Sequence, residues 1–150
     1  MPEAQHSVDV RATPAAVWAF VSNMDRWAPL VPGYISHARQ SDTDSTWTLK
    51  GDVGILVKTV TFQVRITEWL EPHTVRFTLA GVNERVSGGG SFLAVPVADG
   101  VTRVTGSLEL RQEGSLAPMV NALFKGVLPK VARGFVETLA RQVERGTAGL

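Results

Sequence analysis

From Tyr34 to Gln112 the chain alternates apolar and polar residues with a period of two, the spacing of a strand that has one face buried. The clearest run is Val60, Phe62, Val64 and Ile66, interleaved with Thr61, Gln63, Arg65 and Thr67. Val75, Phe77 and Leu79 repeat it, as do Val104, Gly106, Leu108 and Leu110. The strands expected are Tyr34–Gln40, Trp47–Gly54, Val57–Trp69, Thr74–Ala80, Val86–Val97 and Val101–Arg111, after a first strand at Ser7–Arg11. Ser41–Asp44, Glu71–His73, Gly81–Glu84 and Ala98–Gly100 supply the turns between them.

Two further patterns interrupt this rhythm. Ala12-Thr13-Pro14 signals a helix start, with Thr13 as N-cap and Pro14 in the first helical position. That helix carries Val17, Trp18, Phe20 and Val21, and a second short one runs from about Met24 to Leu30. Near the C-terminus, Ser115 to Arg145 is long enough and periodic enough for one major helix. Leu116, Met119, Val120, Leu123 and Val127 form one stripe; Leu128, Val131, Phe135, Leu139 and Val143 form another, rotated by about a third of a turn. Pro129 lies at the join, where a bend or step is expected. The first half is expected to face the sheet, and the second half to turn part of its apolar face elsewhere.

A seven-stranded antiparallel sheet with one dry face therefore has a single large helix to cover it. Such a sheet twists and curls, so a helix laid across its hollow leaves an apolar gap. The small helices and the connecting loops would close that gap, and the pattern itself predicts a pocket.

Composition narrows the function. The chain has 150 residues, which suits one domain over residues 1–150, and a net charge of +1, with no basic block to suggest nucleic acid. It has no cysteine, which excludes disulfides, thiolate metal sites and cysteine nucleophiles. Met1–His6 has no signal-peptide pattern and no apolar run approaches the ~20 residues that span a bilayer, so a cytoplasmic protein is expected.

Few residues suit catalysis. His6, His37 and His73 are far apart, and no two stand in ligand spacing. His73 reads as a turn residue, His37 as a surface or edge histidine, and His6 shares the inward parity of Val8 and Val10. Asp9, Glu68, Glu71, Asp99 and Glu109 fall at strand ends or on the wet face, with no pair placed for acid–base work. Ser87-Gly88-Gly89-Gly90-Ser91 would need a helix after it to hold phosphate, whereas Phe92-Leu93-Ala94-Val95 continues as strand. Those glycines are expected to mark a bulge or a close approach of the long helix, and Pro96 a strand end or kink.

Val8-Asp9-Val10-Arg11-Ala12-Thr13-Pro14-Ala15-Ala16-Val17-Trp18-Ala19-Phe20-Val21 resembles the opening of the START-like (SRPBCC, polyketide-cyclase-like) superfamily. The resemblance implies the α+β helix-grip fold. Within that superfamily, Asp25–Gly33 is similar to the "hydrophobic, x, Pro-Gly" segment of the CoxG-like branch, whose members accompany carbon monoxide dehydrogenase. Leu49-Lys50-Gly51-Asp52-Val53-Gly54-Ile55 resembles a turn of the same branch. What the branch implies is a quinone-like or lipid ligand and an accessory role beside a molybdenum hydroxylase, at or near the inner face of the membrane. Longer members of the branch carry a C-terminal anchor. Gly149-Leu150 ends without one, so permanent anchoring is not expected.

With that resemblance, the residues expected to touch a hydrophobic small molecule are Trp18 and Leu30 on the small helices and Trp47, Phe62, Val64, Phe77, Leu79, Phe92 and Leu108 on the sheet. Met119, Leu123, Phe124 and Val127 are expected to do so from the long helix. Trp18 and Trp27 either gate the entrance or staple the small helices down. Lys125, Lys130, Arg133, Arg141 and Arg145 form either a solvated face or a surface for anionic lipid or a partner protein. A binding protein without catalytic residues, cofactor or metal is the leading expectation. The alternatives are a cyclase- or dehydratase-like enzyme and an assembly subunit with an incidental cavity.

Overall fold

Thr13 starts the first helix as its sequence requires: its Oγ1 accepts a hydrogen bond from the Ala16 backbone at 3.2 Å, and Pro14 follows in the first helical position. The structure, a computed structural model, describes residues 2–52 and 57–148. Its elements are β1 (Glu3–Val10), α1 (Pro14–Val21), α2 (Met24–Trp27) with a 3-10 turn at Ala28–Leu30, β2 (Tyr34–Arg39), β3 (Asp44–Asp52), β4 (Val57–Leu70), β5 (Thr74–Gly81), β6 (Val86–Ala98), β7 (Val101–Gln112) and α3 (Ala117–Ala148). The strands form one curved antiparallel sheet in the order β1-β7-β6-β5-β4-β3-β2. The period-two pattern therefore does what it implies. Trp47, Phe62, Val64, Ile66, Val75, Phe92 and Val104 are buried on one face, while Gln63, Arg65, Arg76 and Arg103 stand in solvent on the other.

The wet face is laced by cross-strand ion pairs. Asp44 meets Arg65 at 2.9 Å, Glu68 meets Arg76 at 3.0 Å and Asp9 meets Arg103 at 2.8 Å. Exposed pairs of this kind contribute little individually, but they keep like charges from standing opposite one another.

Two expectations about backbone contacts need correction. Gly88–Gly90 is not a bulge, since its register with β5 and β7 runs unbroken, and α3 does not approach it. What comes close there is the two neighbouring strands: a Cβ on Gly90 would run into the Ser107 carbonyl oxygen and lie 2.6 Å from the Phe77 ring, so glycine leaves room for both. The close approach of α3 is at Gly106, where a Cβ would stand 2.6 Å from Val136 Cγ2. Pro96 sits where its missing donor costs nothing. Pairing to β5 stops at Leu93, so this end of β6 has β7 alone as a neighbour, and a bulge follows between Pro96 and Ala98.

The long helix continues through Pro129, and its two halves exchange the roles expected of them. The second half docks: Leu128, Ala132, Val136, Leu139, Ala140 and Val143 are buried, and α3 packs on β1 and β7. Leu116, in the turn before the helix, is 60% exposed, and the first half leaves Met119 50% exposed. It is tied down by Val120 and by Asn121, whose Oδ1 accepts from the Gln112 backbone at 2.8 Å and whose Nδ2 donates back to the Gln112 carbonyl at 3.1 Å. Ala132, Ala140 and Gly106 are small, so the second half can reach the sheet closely. The bulky first stripe has no such flat seat.

Gly106→Ala tests that seat. The added methyl should cost about 1–3 kcal/mol by overpacking, read from denaturant unfolding. Adding Val136→Ala should make the pair less damaging than the sum of the singles, by about 0.5–3 kcal/mol of coupling.

Candidate ligand cavity

Because α3 sits over β1 and β7, it roofs only one side of the dry face. On the other side α2 and the turn after it lean over β2 and β3, while α1 packs against β6, β7 and α3. Between the two lies a cavity of about 190 Å³. Its floor comes from alternate residues of five strands: Trp47 and Leu49, Phe62 and Val64, Val75 with Phe77 and Leu79, Phe92, and Leu108 with Leu110. Val131, Ala132, Phe135 and Val136 of α3 form the roof, and Val21, Trp27, Val31 and Pro32 the remaining side. Trp27 joins two walls, its ring centroid 5.5 Å from that of Trp47 and 6.0 Å from that of Phe135.

The polar groups nearby are already engaged. Trp47 Nε1 donates to Ser45 Oγ at 2.9 Å, and Ser45 is 1% exposed. Trp27 Nε1 donates to the Val21 carbonyl at 2.9 Å. Ser91 and Ser107 border the cavity, but their register pairs them with Arg76 and Gln5, so they share the outer face with those residues. Among the described residues no buried side-chain nitrogen or oxygen lacks a partner. The wall offers an apolar surface and no spare side-chain donor.

Seven expected contacts meet in this wall: Trp47, Phe62, Val64, Phe77, Leu79, Phe92 and Leu108. The others stand elsewhere. Trp18 packs edge-on against Trp69 at 6.2 Å, and Leu30 and Phe124 pack on the core outside the cavity. Met119 is half exposed, and Leu123 and Val127 are half-buried without reaching the cavity. The helix residues are displaced for one reason: the half of α3 that carries them is not the half that docks. Sequence reasoning missed Leu49, Val75 and Leu110, although each shares strand parity with a residue it did choose. It also missed Val131, Ala132, Phe135 and Val136, which belong to the second stripe or flank it. Trp27 proves to be both staple and wall.

A second cluster adjoins the cavity without lining it. His37 lies on the edge strand β2, yet its side chain is only 11% exposed, its ring centroid 5.7 Å from that of Trp47. Its Nε2 stands in hydrogen-bond contact with Asp25 Oδ1 at 2.7 Å and its Nδ1 with the Tyr34 hydroxyl at 2.5 Å. Arg39 approaches the other Asp25 oxygen at 3.5 Å. The chain Tyr34–His37–Asp25 fastens α2 to β2. The hydrogen bond from His37, with Arg39 adding to it, holds the Asp25 carboxyl below its ordinary range. His73 is an exposed turn residue bonded to Thr74 at 2.7 Å, and His6 lies half-buried 3.8 Å from Glu137. Among the described residues no group of three or more side chains could hold a metal ion, and no helix is long and apolar enough to cross a membrane.

A curved antiparallel sheet gripping one long helix above an apolar chamber defines the START-like, helix-grip class of hydrophobic-ligand-binding folds. The chain belongs to the polyketide cyclase / dehydrase and lipid transport family, which matches residues 1–144. Among solved structures, a conserved protein of Geobacillus kaustophilus is similar with a TM-score of 0.80 at 14% identity, over 95% of each chain. The Zhui aromatase/cyclase of Streptomyces sp. R1128 is similar with a TM-score of 0.69 at 17% identity, over 95% of this chain and 93% of that one. A START superfamily protein of Mycobacterium smegmatis gives 0.62 at 18% identity, over 93% and 98%. At such identities the likeness is one of fold. No curated protein matches the chain in sequence.

Asp9, Asp25 and Asp44 all have carboxyls lowered by their hydrogen-bonded partners, Arg103, His37 and Arg65. A depressed folded-state value stabilises the fold above the ordinary carboxylate range, and that contribution is lost as pH falls through it. Unfolding free energy should therefore hold from neutrality down to about pH 4 and decline below. Asp25→Asn should make the decline shallower, as read by denaturant titrations between about pH 3 and 7.

Proposed function

We propose that this chain, as one ligand-binding domain over residues 1–150, is a non-catalytic carrier that holds a hydrophobic small molecule between the sheet and α3. One observation carries the reading: the cavity wall is apolar, and its two indole donors are already bonded to protein oxygens. A wall of this kind gains affinity by burying apolar surface, about 25 cal/mol per Å², and supplies neither proton donor nor base. The ligand would be quinone- or lipid-like, and the carrier would serve a molybdenum hydroxylase of the carbon monoxide dehydrogenase type. Support for that setting comes from the Asp25–Gly33 segment, whose Trp27, Val31 and Pro32 help to wall the cavity. Part of the second resembling segment, residues 53–55, lies outside the described residues. Work in the cytoplasm with peripheral contact at the inner membrane face is supported by Met119, exposed on the same helix as Lys125 and Lys130, and by Leu116, exposed in the turn just before it.

A cyclase-like enzyme has one foothold, the ordered Tyr34–His37–Asp25 chain beside Trp47. None of these three residues lines the cavity, so the carrier reading is preferred. The assembly reading would need an exposed apolar patch on the second half of α3, and Val136, Leu139 and Val143 there are buried.

Organic extraction of the purified chain followed by mass spectrometry should recover a lipophilic molecule. Leu79→Trp, which fills the chamber from its floor, should weaken binding at least about tenfold while leaving the circular dichroism spectrum unchanged. A chain that binds no member of a broad quinone and lipid panel overturns the proposal.

A further inference from the structure

The size and chemistry of the chamber specify which part of a ligand enters it, an inference that rests on the carrier reading. Two stops limit its length. On the β1 side, Val136 closes down on Gly106 with no room for a methyl group between them. On the β2 side, Trp27 bridges Trp47 and Phe135. The floor is fixed where the Phe77 ring lies across Gly90. Sites for drug-sized ligands run to about 300–1,000 Å³, and this one has about 190 Å³. An apolar cavity of ~150 Å³ holds one benzene, or about 25 Å³ per carbon. On that scale the chamber takes about seven or eight carbons.

Oxygen atoms would find no partner inside. Both indole N–H groups are turned to protein acceptors, the hydroxyls of Ser91 and Ser107 share the outer face with Arg76 and Gln5, and Tyr34 is committed to His37. A carbonyl or hydroxyl brought in from water would forfeit its hydrogen bonds. We propose that the chamber receives a hydrocarbon segment of about seven or eight carbons, one alkylated ring or the end of an alkyl or isoprenoid chain, and that any oxygenated head remains outside. A fused polycyclic or a quinone head would then be a poor occupant. The same hydrocarbon chemistry has two sources, a small free molecule or the tail of a lipid.

Titration of the full chain, followed by Trp27 and Trp47 fluorescence and by NMR shifts of the wall residues, decides the matter. In the series benzene, toluene, ethylbenzene, affinity should rise about fourfold per added carbon. Naphthalene and anthracene should bind at least about tenfold more weakly than ethylbenzene, and hydroquinone and benzoquinone more weakly than p-xylene by a similar factor. Octanol and hexadecanol separate the sources: equal affinities assign a lipid tail with its remainder outside, and a loss at hexadecanol assigns a small free hydrocarbon. Phe135→Leu should restore naphthalene binding about tenfold. Leu79→Ala should do the same from the opposite wall, should the first variant fail to fold. Affinity that keeps climbing through anthracene or from octanol to hexadecanol, or a preference for hydroquinone over p-xylene, overturns the size and polarity limits while leaving the carrier reading intact. Binding of none of these probes removes both.

Discussion

The seat of Val136 over Gly106 is the contact on which the rest of the molecule depends. A sheet of seven curled strands is wider than one helix, and where the helix rests decides what remains uncovered. A glycine in the middle of β7 makes a flat place there. Ala132 and Ala140, one turn to either side of Val136, let the backbone of α3 come close. The helix is thereby drawn to the β1–β7 edge, and the dry residues of β3, β4 and β5 are left without it. Burying them falls to the end of α1 at Val21, to α2 and to the Val31-Pro32 turn, which are too short to fill the hollow. The cavity is the remainder of that covering problem.

Strand parity made most of this legible in advance. Alternation in β4, β5 and β7 identified the buried face, and the Thr13–Pro14 signal placed the first helix correctly. Every sheet residue chosen as a wall residue stands in the wall. The long helix was harder, because both of its stripes are apolar and hydrophobicity alone does not say which one docks. The deciding feature is steric. Bulky Leu116, Met119, Leu123 and Phe124 have no complementary flat site, whereas small Ala132 and Ala140 match Gly106. That match joins residues far apart in sequence, and single-strand periodicity does not register it. The glycine run at Gly88–Gly90 misled for the same reason. Its partners are the backbones of the two neighbouring strands and, at Gly90, the Phe77 ring, which no local pattern announces.

His37 shows a different limit. Its place on a short strand of ambiguous parity suggested a surface or edge histidine. Yet α2 lies against that edge and brings Asp25 to one ring nitrogen, while Tyr34, on the same strand, reaches the other. The cluster closes the β2 side of the fold with polar contacts, and the tilted ring contact of His37 with Trp47 joins it to the apolar wall. A polar clasp on the outside and an aromatic wall on the inside thus share the same tryptophan.

This division of labour bears on the choice between carrying and catalysing. The family to which the chain belongs spans cyclisation and lipid transport, two activities that ask opposite things of one chamber. Cyclisation needs proton donors and acceptors facing the guest, held where charge develops. Transport needs a wall that releases what it holds, and an apolar surface without directional bonds does that best. In this chain the polar atoms that could have served the first task are consumed in holding the walls: Trp27 on Val21, Trp47 on Ser45, Tyr34 and Asp25 on His37. The bonds that fix the walls are thus the bonds that engage the polar atoms nearest the chamber, and this coupling is the physical ground on which carriage is proposed.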